Sequence, residues 1–436
     1  MQDEITIFWF RRDLRLDDNA GLYQALKENQ NVVGSFIFDP LILKPLPKKD
    51  ARVLFLHQIL TKLKTELQHL GSDLLVEHDP PVEVFKKLSK KYKIKSIYCN
   101  HDYEPAAVRR DEEIKKFADA EGIVFKSFKD QCIFEKNEVV TDSQTSYTVY
   151  TPYKRKWLSL VKDEHLKSYP VLDHKNNFLR VKAAFEMPSL EEMGFKDFSF
   201  EFPDTSEFKS HLKGYAAHRD FPAEDATTKL GLGLRFGTVS IRKLTTIAKK
   251  HSDVWLSELI WRDFFMQILW HYPHVETKSF RLKYEKVEWG KDPDDFKKWC
   301  EGMTGYPLVD AGMRQLNQTG YMHNRVRMVV ASFLTKHLFM HWHLGERYFA
   351  EKLLDYDLSA NNGNWQWAAG TGCDASPYFR IFNPEAQLKK FDPKFEYVKK
   401  WVPEFGTKKY PEPMVEHTFA RDRALQGFKK ALTTEG

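Results

Sequence analysis

Cysteine is scarce in this chain. Its 436 residues contain four, Cys99, Cys132, Cys300 and Cys373, and no two form a CxxC pair. That excludes a disulfide scaffold, gives no zinc signature and suits a reducing compartment. Long apolar runs are missing too: no stretch reaches the ~18 residues that a membrane-spanning helix needs. The opening Met1-Gln2-Asp3-Glu4-Ile5 is acidic and runs straight into a strand-like segment, so no secretory signal is expected. A soluble, cytoplasmic protein follows. A Gly-rich dinucleotide fingerprint is absent as well, because Phe10 is followed by Arg11-Arg12-Asp13-Leu14-Arg15-Leu16-Asp17-Asp18-Asn19. No internal repeat occurs.

What is present is a globular composition. Hydrophobic residues make up 42% and charged residues 29%, which excludes disorder and allows a sizeable core. Charge is unevenly placed. Residues 1–205 carry 32 Lys+Arg against 33 Asp+Glu, and residues 206–436 carry 35 against 28, so the excess lies in the second half. A basic half fits a polyanion such as nucleic acid, and it equally fits an ordinary charged surface. Tryptophan is lopsided too: nine of 11 fall between Trp255 and Trp401. Core packing, stacking on a flat ligand or on bases, and electron hopping would each use them.

Strand-like runs at Ile5–Phe10, Val32–Phe38, Asp73–Glu77, Ser96–Asn100 and Ile123–Phe128 alternate with helical stretches such as Val53–Leu70 and Val82–Tyr92. The alternation predicts a parallel, Rossmann-like sheet covered by helices over 1–134. Polar and Pro-bearing segments mark a long connector over 135–205. Helical periodicity dominates 206–436, with helices expected at Ile241–Lys250, Trp255–Trp270, Pro307–Leu316, Asn324–Phe339 and Gly345–Leu354.

Four constellations stand out in that second half. In the helix at Trp255–Trp270, Glu258, Trp261, Arg262 and Phe265 share a face. Facing a cavity, desolvation would make Glu258 a neutral hydrogen-bond donor. Facing solvent, Glu258 and Arg262 would be an ordinary i, i+4 pair. In Tyr321–Met328, Asn324 and Met328 share a face beside Arg327. An amide and a thioether suit a base or ring, and Asn324 equally suits a helix N-cap. The run Leu354–Trp367 holds Asp355, Asp357, Asn361, Asn362, Asn364, Trp365 and Trp367. It reads as a loop wrapping a polar, flat ligand rather than a helix. With no His at ligand spacing, no metal site is expected. Lastly, Thr227-Thr228-Lys229-Leu230-Gly231 suits a phosphate cradle or a common turn.

Together these residues resemble the photolyase/cryptochrome flavoproteins along most of the chain. The resemblance rests on Phe8-Trp9-Phe10-Arg11-Arg12-Asp13-Leu14-Arg15, on Thr304–Ala311 with Met313–Leu316, and on Asn361-Asn362-Gly363-Asn364-Trp365-Gln366-Trp367. Within the family the chain looks like a class I DNA photolyase acting on cyclobutane pyrimidine dimers. The resemblance implies an α/β N-terminal domain followed by an all-α domain holding a folded FAD, active when fully reduced. Tyr215, Thr227, Thr228, Lys229, Leu230 and Gly231 match phosphate-side contacts. Trp255, Glu258, Arg262 and Asn324 match residues around the flavin. Asp355 and Asp357 match an acidic pair near the adenine, with Arg327 paired to Asp355. Asn361 matches the residue facing flavin N5, and Trp365, Trp342 and Trp289 match an electron-transfer chain.

The resemblance also implies a lesion pocket. Glu258 matches an acid on the dimer carbonyl, Trp261 and Trp367 its aromatic walls, and Asn324 and Met328 its far side. Arg219, Arg262, Arg325 and Arg380 complete the implied DNA- and lesion-binding set. Relatives that repair (6-4) lesions carry a His pair where this chain has Asn324 and Met328, which favours dimer splitting. Two departures are evident. The phosphate loop has Lys229 where the family usually has Arg, giving up fork geometry. Tyr103-Glu104 is followed by Pro105-Ala106-Ala107 instead of the Asn-Glu of folate-using relatives, so a deazaflavin or a second flavin is the expected antenna, if the pocket is filled. UV-damaged DNA, single- or double-stranded, is the expected partner, and a monomer is expected. The alternative is a cryptochrome-like photoreceptor, against which stands the short stretch of about 35 residues after Trp401, too short for a signalling tail.

Overall fold

A computed structural model describes residues 3–433. The residues that carry the readings of the two extreme ends, 1–2 and 434–436, lie outside that range.

Five strands form one parallel sheet. They are β1 (Glu4–Phe10), β2 (Val32–Ile37), β3 (Leu74–Glu77), β4 (Lys93–Asn100) and β5 (Val124–Phe128), in the order β3-β2-β1-β4-β5. β1 is central and is buried at every position after Glu4, as a strand covered on both faces must be. Its Ile7 and Trp9 share one buried cluster with Ile97, Phe85 and Leu88. Every strand expected from the sequence is present within three residues of its expected ends.

The first compact unit comprises residues 1–135, 160–202 and 230–250, and the second 136–159, 203–229 and 251–436. Neither is continuous in sequence, unlike the domains expected at 1–134, 135–205 and 206–436. Side-chain pairing explains why 230–250 joins the first unit. Arg242 donates to Asp18 at 2.9 Å and to Asp130 at 2.8 Å, and Arg15 reaches the other oxygen of Asp130 at 2.7 Å. All four residues are buried or nearly so, and such charges are costly unless paired. Asn100, at the end of β4, donates to Asp13 at 2.5 Å and to Asn19 at 2.8 Å. Much of the polar run after β1 is therefore committed to an internal network at the carboxyl ends of the central strands.

The second unit is helical. Its core gathers Trp299, Leu308, Val326, Phe333, Trp342, Phe349 and Trp365. The helix expected at Asn324–Phe339 is α-helical only over Asn324–Ser332 and widens into a π-helical turn at Phe333–His337. There Lys336 is buried and donates to the Ala369 carbonyl at 2.6 Å.

Candidate functional site: a helix face, a tethered amide and an aromatic string

The helix Asp253–His271 starts where Ser252 accepts the Trp255 backbone N–H. On its Glu258/Trp261/Arg262/Phe265 face, Trp261 stacks on Tyr150 with ring centres 3.5 Å apart and planes at 7°. Phe265 lies 5.3 Å from the same indole. Tyr150 is held by its own hydroxyl, which donates to the Ser257 carbonyl at 2.8 Å. Two aromatic neighbours thus fix the plane of Trp261. Trp255 is buried, 6.0 Å from Phe208, and Arg262 is half-buried.

Glu258 is not the free donor that a desolvated face would produce. Arg219 donates to its Oε1 at 2.6 Å, so Glu258 is one half of an ion pair. Its ionic partner comes from a different element rather than from Arg262 one turn away. The Arg219 guanidinium also lies 5.4 Å from the ring centre of buried Tyr215. Arg325 pairs with Asp220, the neighbour of Arg219, at 2.9 Å and lies 4.4 Å from the ring centre of Phe391. Met328 is half-buried, its sulfur 3.7 Å from Arg325 Nη1.

His323, not Asn324, caps the helix Asn324–Ser332. Its Nδ1 accepts the Arg325 backbone N–H at 3.2 Å while its own backbone stays extended. Asn324 falls one position inside the helix, with its side chain exposed. Burial lowers the His323 pKa to about 4, so the ring is neutral, and its Nε2 is buried without a partner.

Leu354–Trp367, expected to be a loop, contains most of the helix Leu358–Ala369. Asp357 caps it by accepting the Ala360 N–H at 3.2 Å. Asn-rich segments avoid helices because their amides compete with the backbone. Here distant partners occupy most of those amides. Asn362 donates to the Val275 carbonyl at 2.7 Å, and Gln366 accepts the Phe280 N–H at 2.7 Å. At Gly363 a Cβ would come within 2.2 Å of the Phe265 ring, so a side chain there would push the two helices apart. Asp355, just before the helix, takes Arg327 Nη2 on both oxygens at 2.9 and 3.1 Å, as the resemblance implies.

Asn361 is tethered to Glu346. Its Nδ2 donates to the Glu346 carbonyl at 3.0 Å and to Glu346 Oε1 at 2.9 Å. Both amide hydrogens are thus used, and Oδ1 takes no hydrogen bond among the described residues. Burial pushes the Glu346 carboxyl up to about 7, against the opposing bond from Asn361. Glu346 escaped the sequence reading, although a carboxylate four residues after Trp342, on the face with Gly345 and Phe349, was a signal. Tyr150, isolated in the expected connector, carried none.

Trp365 and Trp342 are buried and Trp289 is partly exposed. Trp365 packs edge-on against Phe349 at 5.0 Å, and Trp342 Nε1 lies 3.4 Å from Ser279 Oγ. Trp367 is half-buried, and Arg380 is exposed beside exposed Phe379. In the phosphate-side run, Thr227 shares a hydrogen bond with the Tyr321 hydroxyl at 3.2 Å, Thr228 is buried, and Lys229 pairs with Asp225 at 2.7 Å. Leu230 and Gly231 belong to the first unit, where they open the helix Gly231–Phe236.

Comparison with known proteins adds identity to this geometry. Residues 6–171 match the family described as DNA photolyase, and residues 255–407 match the FAD binding domain of DNA photolyase. The deoxyribodipyrimidine photo-lyase of Halobacterium salinarum is 34% identical over 98% of this chain and 100% of its own length. The crystal structure of a bacterial class III photolyase from Agrobacterium tumefaciens superposes with a TM-score of 0.89 at 32% identity, covering 100% of this chain and 99% of that one. An archaeal photolyase from Sulfolobus tokodaii, solved with two FAD molecules, gives a TM-score of 0.82 at 34% identity, covering 98% of this chain and all (100%) of that one.

Proposed function

This chain belongs to the DNA photolyase family, and on that premise we infer that it is a light-driven DNA-repair lyase that uses FAD to split cyclobutane pyrimidine dimers. The observation that carries the reading is the Asn361–Glu346 tether. A neutral amide, both hydrogens bound and its carbonyl oxygen open, fits a flavin ring edge that offers an N–H. Bound and reduced, FAD supplies a light-excited one-electron donor.

The chain's own residues do the rest. Tyr215, Thr227, Thr228 and Lys229 would hold the phosphates, Arg327 with Asp355 the adenine end, and Asn361 the ring. Trp365, Trp342 and Trp289 would pass electrons inward. The damaged dinucleotide leaves the duplex at a cost of a few kcal/mol, lowered by its poor stacking. Trp261 and Trp367 would flank it, with Asn324 and Met328 opposite. Glu258 would meet the dimer carbonyl after Arg219 turns from it towards DNA phosphate, the exchange leaving a carboxyl free to take a proton and donate a hydrogen bond. Arg325 and Arg380 would hold the strand. No helix among the described residues is long and apolar enough to cross a membrane. We propose that the enzyme acts as a monomer on cytoplasmic DNA.

Class I is the proposed class, on the motifs at 8–15 and 361–367. The likeness to a class III enzyme favours a second reading. The antenna bears on it: a second flavin or a deazaflavin is proposed because Pro105 opens the helix Pro105–Ala120 where folate-using relatives have their Asn-Glu pair. Extraction and chromatography of the bound chromophores would identify it, and a folate would reject that antenna.

The test of function is direct. The reduced protein is illuminated with DNA bearing cyclobutane dimers and, separately, (6-4) lesions. Blue-light-dependent loss of the cyclobutane dimers alone is expected. No loss would turn the reading to a cryptochrome-like photoreceptor.

A further inference from the structure

His341 touches both outer tryptophans. Its ring centre is 5.5 Å from that of Trp342, with planes at 30°, and 5.6 Å from that of Trp289, edge to face. It also caps the helix Trp342–Lys352: Nδ1 accepts the His343 backbone N–H at 3.2 Å. A ring nitrogen that accepts an N–H carries a lone pair there, so this imidazole is neutral with its proton on Nε2.

We propose that neutral His341 is a positioning residue for electron transfer from the Trp342–Trp289 pair to Trp365, and that its protonation closes that step. The proposal rests on reading Trp365, Trp342 and Trp289 as the path that reduces the bound flavin. In that path a bound oxidised flavin, excited by light, would be the oxidant for Trp365, which regains its electron from Trp342. Trp342, once oxidised to its radical cation, is restored by one electron from Trp289. Trp289 is then restored by a thiol in solution, which releases its proton to water. No bond in the protein is made or broken.

Protonation acts twice, in the same direction. An imidazolium against both indoles repels a radical cation on either one, and so opposes its passage from Trp365 to this pair. A protonated Nδ1 also turns from acceptor to donor and loses the cap that sets the first turn carrying Trp342. The charged groups facing the ring are Glu285, from the turn Leu282–Lys286, which favours protonation, and His343 on the same helix, which opposes it. His343 in turn stands 3.9 Å from Glu346 and feels Arg347. Burial outweighs Glu285 and lowers the His341 pKa, which places the closing on the acid side of neutrality.

The test uses the full chain. Nitrogen-15 NMR of the cofactor-free protein at pH 7.5 is expected to show the Nε2–H tautomer at His341, and an Nδ1–H tautomer overturns the proposal. In the FAD-loaded protein with thiol, the photoreduction rate is expected to fall at least fivefold on acidification through the NMR-measured His341 pKa. His341→Asn, a neutral cap that does not titrate, should keep the high-pH rate and lose that fall. Repair by protein already reduced with dithionite should stay the same in this variant. Trp289→Phe separates the two ideas. If it leaves photoreduction unchanged, the tryptophan path fails. If it slows photoreduction while His341→Asn retains the wild-type acid fall, the role of His341 fails.

Discussion

Asn361 gives both amide hydrogens to one residue, Glu346, whose carbonyl takes one at 3.0 Å and whose carboxyl takes the other at 2.9 Å. The orientation of the amide is thus set by a neighbour on another helix. The two helices approach closely enough for this because residue 345 has no side chain: a Cβ there would lie 2.1 Å from the Trp365 ring.

Glu346→Gln keeps an acceptor for Asn361 and is expected to repair at close to the wild-type rate. Glu346→Leu removes one of the two bonds. A neutral hydrogen bond is worth about 1 kcal/mol, so a fall of roughly fivefold in repair rate under single-turnover conditions is expected. Equal rates for the two variants would show that the amide is set by something else.

The same carboxyl predicts a pH dependence of stability. Its folded pKa is raised, to about 7 from an ordinary 4.5. The folded protein therefore keeps a proton that the unfolded chain releases across that window. The stabilisation is fully present below the unfolded value and lost as pH rises through the folded one. The cost above it is of order 3 kcal/mol. Thermal unfolding at pH 5.5 and 8 should show Glu346→Gln gaining on the wild type at the higher pH, and parallel curves would reject the assignment.

Glu258→Ala is expected to lower the dimer repair yield at least tenfold while the flavin spectrum stays that of bound cofactor. Arg219→Ala should instead weaken DNA binding, because its proposed partner in the complex is phosphate. An unchanged yield in the Glu258 variant removes that residue from the chemistry.

Lys389, Lys390, Lys394, Lys399, Lys400, Lys408 and Lys409 are exposed, and none joins an ion pair among the described residues. Lysines left unpaired by their own protein suit phosphates. Replacing Lys399, Lys400, Lys408 and Lys409 with Gln should reduce the slope of log affinity against log salt by about 1 to 4, at roughly 0.9 for each phosphate no longer neutralised. Repair at saturating DNA should not change. An unaltered slope would assign these residues to solvent.

Much of the architecture could be read in advance. β1 and β2 declare themselves because a strand buried on both faces must be continuously apolar, whereas the edge strand β5 has no buried residue and showed only through its alternation with helices. The helix Pro307–Thr319 declares itself because one face must be apolar at a period near 3.6, and Asp253–His271, buried at every position from Asp263 to Leu269, by the length of its apolar run. The Arg327–Asp355 pair was legible only through family resemblance. Leu358–Ala369 was misread because helix propensity is local, whereas the carbonyls and amides that hold Asn362 and Gln366 come from residues about 90 positions away. The cap at His323 was missed for a related reason: Asn is the commoner cap, and only the backbone path decides which residue stands at the boundary.

The sequence alone determined the order of strands and helices, the apolar faces and the motifs of the family, because each depends on neighbours within a few residues. Tertiary structure alone decided that Glu258 meets Arg219, that Tyr150 lies flat on Trp261, that Asn361 hangs on Glu346 and that His341 stands against two tryptophans. Those pairings join elements whose separation in the chain carries no information about their separation in space. Burial and charge, which set the chemistry of each group, exist only once those elements have packed.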